Sequence, residues 1–99
     1  MSQEQVSAQG PQGWPQILGS WPAELPRRGL MVTSFGEQIP FDGFMLSGEF
    51  VLLQRPTPDT LGARTVILPL SSLTGLKITD VAKPKAFQAM GFSAAVAAR

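Results

Sequence analysis

Residues 29–79 constrain this chain more than any other part of it. They hold five short runs rich in β-branched, aromatic and aliphatic residues: 29–35, 38–46, 49–55, 64–68 and 73–79. Gly, Pro, Ser or Asp separates each run from the next, which is the punctuation of consecutive antiparallel strands. Strands this few and this short offer too little material for two well-filled sheets. The economical expectation is an all-β fold, a small five-stranded antiparallel barrel over residues 29–80.

Single residues refine that expectation. Gly36-Glu37 reads as the first tight turn. Pro40 lacks a ladder donor and belongs at an edge or bulge, and Gly43 suggests a kink within a second strand over 38–46. Asp42 beside it reads as a turn or bulge residue. The third strand, with Phe50, Val51, Leu52 and Leu53, is apolar on both faces and therefore expected to be covered on both sides. Residues 56–63 carry two prolines and a glycine, forming an exposed hairpin tip with Arg55 and Arg64 facing each other across its base. Pro69 ends the fourth strand, and Leu70-Ser71-Ser72 suits one helical turn with the serine hydroxyls capping it. Leu76 and Ile78 then alternate with Lys77 and Thr79 in the fifth strand.

The flanks read as arms. Residues 1–13 are polar and Gln-rich, and they cannot bury enough apolar surface to offset their ordering entropy, which predicts a disordered tail. Residues 14–28 carry Trp14-Pro15, Trp21-Pro22 and Leu25-Pro26. Prolines at this spacing forbid a long helix; a single turn starting at Pro22 fits between them. Trp14 and Trp21 either pack on their own barrel or dock on another protein, where indoles are favoured anchors. Residues 81–99 hold Ala, Gln and Met, with Phe87 and Met90 on one helical face. One or two helical turns interrupted by Gly91 and a frayed end are expected, with Phe87 and Phe92 as further partner contacts.

Composition narrows the chemistry. Ninety-nine residues allow one domain, and the chain has no Cys and no His. That excludes disulfides, thiolate zinc sites and nucleophilic triads built on His. The acids Glu4, Glu24, Glu37, Asp42, Glu49, Asp59 and Asp80 fall in no paired spacing, and no phosphate-binding glycine loop occurs. The expectation is no enzyme, no cofactor and no metal. A barrel of this size is marginal alone, and charged residues are only 15 % of the chain, so self-association or another protein is the expected source of further stability. No apolar run approaches a membrane-spanning length, and the first residues lack the pattern of a secretory signal, which makes the cytoplasm the expected location.

Gly36, Asp42-Gly43, the run Phe50-Val-Leu-Leu53 and the run Val66-Ile-Leu-Pro-Leu-Ser-Ser-Leu73 carry a resemblance. In this order of parts, residues 29–79 resemble the Sm-like small barrels, an SH3-like architecture that includes Hfq. The resemblance implies ring oligomers in which the fourth strand of one subunit pairs with the fifth of the next, and it implies RNA as ligand. The family's base-binding residues are not matched. Ser47-Gly48-Glu49 stands where an Asp and an Asn are usual, Leu70-Ser71-Ser72 replaces the Arg-Gly pair, and the Lys-His of Hfq is absent.

Two roles follow. The first is an Sm-like, non-enzymatic oligomeric binding or scaffold module that contacts RNA through a cationic rim of Arg55, Arg64 and Lys77; Arg27-Arg28 and Lys83-Pro84-Lys85 flank it. The same cations also suit a plain solvated rim. The second is an accessory subunit of a larger complex, docked through Trp14, Trp21, Phe87 and Phe92.

Overall fold

The computed structural model describes residues 13–93. They fall into two compact units: Pro26–Val81, and the flanking residues 13–25 together with 82–93. The expected tail lies almost wholly outside the described residues, as does the expected frayed end from 94 onward.

The unit Pro26–Val81 contains six strands: β1 (Gly29–Thr33), β2 (Gln38–Phe41), β3 (Gly43–Ser47), β4 (Phe50–Gln54), β5 (Thr65–Pro69) and β6 (Leu73–Lys77). They form two antiparallel three-stranded sheets, ordered β2-β1-β6 and β3-β4-β5. This corrects the expected five-stranded SH3/Sm-like barrel: the fold is mostly β, but no ladder joins the sheets into a closed cylinder. Two local causes are visible. The expected second strand breaks at Asp42, whose N–H reaches the Gln54 carbonyl at 2.8 Å, out of step with the pairing of Gly43 with Gln54. Its first half stays in one sheet and its second half enters the other. Between β5 and β6 the chain spends Leu70–Ser72 on a 3-10 turn, locked by the Ser72 hydroxyl donating to the Pro69 carbonyl at 2.8 Å. β5 and β6 therefore end up in different sheets.

Each sheet turns one apolar row inward. Met31, Ile39, Phe41 and Leu73 are buried from the first sheet, and Phe44, Val51 and Leu53 from the second. The seam is aromatic. Phe41 and Phe44 meet edge to face with ring centroids 6.0 Å apart, and the Arg27 guanidinium lies 5.4 Å over the Phe44 ring. Thr33, the one buried polar residue among those described, is satisfied by the turn it starts. Its N–H donates to the Glu37 carbonyl, and its hydroxyl accepts the Glu37 N–H. Gly36 closes that turn at φ 83°, a left-handed conformation that glycine adopts without strain. Pro40 sits in β2, an edge strand, where its missing N–H costs no ladder bond.

In the flanking unit a helix, α1, spans Trp14–Gly19. It forms around Pro15, since proline fits the first helical turn, where its missing N–H is not needed; the expected single turn at Pro22 forms as well, closed by the Leu25 N–H donating to the Pro22 carbonyl at 3.1 Å. The C-terminal flank makes a seven-residue 3-10 helix, Pro84–Met90, which ends at left-handed Gly91. The two helices touch each other, and Leu18, Trp21, Leu25 and Met90 are buried.

Two glycines give a test. A Cβ at Gly29 would run into the backbone carbonyl oxygen of Lys77, whereas one at Gly43 would stand 2.6 Å from Oε1 of the Gln54 side chain, which is free to turn away. Gly29→Ala is expected to lower unfolding stability by about 2 kcal/mol in urea titration, in the range of overpacked sites. Gly43→Ala is expected to stay within about 1 kcal/mol of wild type, since the smaller unfolded-state entropy offsets a mild clash.

Candidate protein interface

In antiparallel sheets, residues paired across strands share a face. In the second sheet, Phe44, Leu53 and Val66 form one inward row and Leu46, Val51 and Leu68 another. The outward rows are Gly43–Gln54–Thr65, Met45–Leu52–Ile67 and Ser47–Phe50–Pro69. No outward position carries a charge. Met45 is 57 % exposed, Phe50 51 % and Ile67 63 %. Three large side chains exposed to this degree present roughly 300 Å2 of apolar surface, comparable to the largest patch on a typical monomer, which is often functional. β4 was expected to be covered on both sides, but the described chain covers it on one. The sequence signal for this face was therefore present, in a strand apolar on both sides, but among the described residues nothing covers Met45, Phe50 and Ile67.

β5 is also the terminal strand of that sheet. Its side chains Val66 and Leu68 are only half-buried, so the strand is incompletely covered on both of its faces.

The sequence-predicted cations occupy two places. Arg55 and Arg64 do face each other across the base of the 56–63 loop, the Arg55 N–H donating to the Arg64 carbonyl at 2.8 Å. The Arg55 Nε donates to the Thr57 carbonyl at 3.2 Å, which holds the side chain along its own loop. Lys77 belongs to the other sheet, with its Nζ on the Gln38 Oε1 at 3.1 Å. Arg28, the second residue of the pair Arg27-Arg28, is committed to Asp80 through two hydrogen bonds of 3.0 and 2.7 Å. That guanidinium holds the Asp80 carboxyl below its ordinary value.

The aromatic candidates differ in accessibility. Trp21 is buried, its indole N–H donating to the Leu25 carbonyl at 3.1 Å. Trp14 and Phe87 are half-buried, and Phe92 is 46 % exposed. Among the described residues no group of His, Cys, Asp or Glu is placed to hold a metal ion. No helix among them is long and apolar enough to cross a membrane. No family model, curated protein or solved structure matches the chain.

The 56–63 loop owes its shape to Asp59. Oδ1 accepts the Leu61 N–H at 2.8 Å and the Ala63 N–H at 2.9 Å. The Ala63 and Leu61 hydrogen bonds favour the ionised carboxylate and hold Asp59 below the ordinary 3.8. A lowered folded-state value means that Asp59 contributes its stabilisation in full above 3.8 and loses it as the pH falls through the lower folded value. In an acid titration followed by NMR, the Leu61 and Ala63 amide signals are expected to shift together with a midpoint below 3.8. A midpoint at or above that value would mean the hydrogen bonds do not form in solution.

Proposed function

We propose that the chain is a non-enzymatic, cytoplasmic binding and scaffold module that acts as a homo-oligomer, with its second sheet as the contact surface. The supporting observation is the charge-free outer face centred on Met45, Leu52 and Ile67, which lies beside the open strand β5. A chain without His or Cys offers few routes to catalysis, which favours binding over chemistry. RNA contact belongs to the same reading through Arg55 and Arg64, which adjoin this sheet; it would be electrostatic and salt-sensitive. The alternative, an accessory subunit gripped through its flanks, draws on the exposed Phe92.

Light scattering on the purified chain is expected to give a defined mass larger than the 10.6 kDa monomer; a monomer at all concentrations favours the accessory subunit. Titration with single-stranded RNA is expected to show binding at low salt that weakens as salt rises. No binding at low salt removes the RNA branch and leaves the oligomer in place.

A further inference from the structure

We infer that the contact between copies is made edge to edge by β5, antiparallel to β5 of a second copy, about a two-fold axis through Ile67. This rests on the reading of the chain as a self-associating module and names the surface that it uses.

The backbone supplies the first argument. In an antiparallel ladder each residue aims its N–H and C=O at the same neighbour, and successive residues alternate in direction. The bonds from Arg55 N–H to Arg64 C=O and from Leu70 N–H to Glu49 C=O, 2.8 and 2.7 Å, assign residues 64 and 70 to the β4 side. Residues 66 and 68 follow by parity. Thr65, Ile67 and Pro69 therefore point their backbone groups at the open edge. The strand Thr65–Pro69 has no charged residue and no bulge; of the devices that protect an edge from pairing it carries only its short length and a proline at its last position.

The register is set by Pro69, which has no N–H to give. Centring the axis on Ile67 places Ile67 opposite its own copy, where the two exchange N–H···O=C bonds. Thr65 then lies opposite Pro69 of the copy, where its N–H meets a carbonyl. The missing donors fall at the two ends of the ladder, the least costly position for them. Side chains paired across antiparallel strands share a face, so the two Ile67 side chains cover each other and the two apolar outer faces become one.

Charge gives an independent argument. In this register Arg64 stands opposite Leu70 of the copy, whose other neighbour is Glu49 of the copy. Two strand spacings, about 10 Å, separate the two backbones, with the buried Leu70 side chain on the same face between them, so the Arg64 and Glu49 side chains meet past Leu70 at the rim of the sheet. Symmetry makes the contact twice. The two Arg64 residues lie at opposite ends of the pair, about 20 Å apart, so like charges do not meet. Within the chain neither Arg64 nor Glu49 makes an ion pair among the described residues.

Sedimentation equilibrium of the full chain is expected to fit a monomer–dimer equilibrium. Ile67→Lys puts two like charges directly opposite each other and is expected to weaken the dimer at least about tenfold. Since Ile67 is exposed, the variant's circular dichroism should be unchanged, and its thermal melting should match wild type at concentrations low enough to dissociate the dimer. Arg64→Glu should also weaken the dimer, and Arg64→Glu combined with Glu49→Arg should restore it, which a general loss of stability would not do. Amide exchange at Ile67 should slow as protein concentration rises. A monomer at every concentration overturns both this contact and the self-associating reading. An oligomer of another size, or one that ignores Ile67→Lys and shows no rescue by the charge exchange, overturns the two-fold β5 contact alone.

Discussion

The β unit depends on one step of the backbone at Asp42, where the chain leaves the first sheet and enters the second. Phe41 and Phe44, on either side of that step, pack edge to face, so the residues that separate the sheets also join their cores. Gly43 follows the step directly. The Gln54 side chain occupies the space where a Cβ would stand, and the irregular Asp42–Gln54 hydrogen bond consumes the donor that a continuous strand would have used. Arg27 lies over the Phe44 ring and adds an electrostatic contact to the same seam.

Much of this was legible from residue types. The turn at Gly36, the edge position of Pro40, the Arg55–Arg64 hairpin base and the single turn at residues 70–72 each follow from a local constraint: a backbone angle, a missing donor or a hydroxyl within reach. The closure of the sheet was not legible. Whether β5 and β6 pair is decided by hydrogen bonds between segments whose separation in space is set by the break at Asp42. Alternation along residues 38–46 cannot distinguish a bent strand from two strands in different sheets. Both Trp-Pro steps start a turn, at Pro15 and at Pro22, but only the first continues into a helix, with Leu18 buried, and residue types alone do not separate the two.

The candidate interface was half legible. An apolar run on both faces of β4 led to the expectation of a covered outer side, and the described residues leave that side exposed. The cationic rim illustrates the opposite limit. Arg55, Arg64 and Lys77 are alike in sequence, yet they occupy two sheets, and the hydrogen bonds of Arg55 and Lys77 draw both toward local acceptors. Only Arg64, exposed and at the end of β5, remains at the open edge.

The Arg28–Asp80 pair bears on more than charge balance. It joins the residue that leads into β1 to one that follows β6, with N and O 2.7 Å apart, so the entry and exit of the β unit are neighbours in space. A chain with adjacent ends tolerates being relinked: a short peptide could join entry to exit, and a new beginning could be opened in the exposed 56–63 loop without crossing a strand. The order in which the strands are threaded is then separable from the architecture that they form.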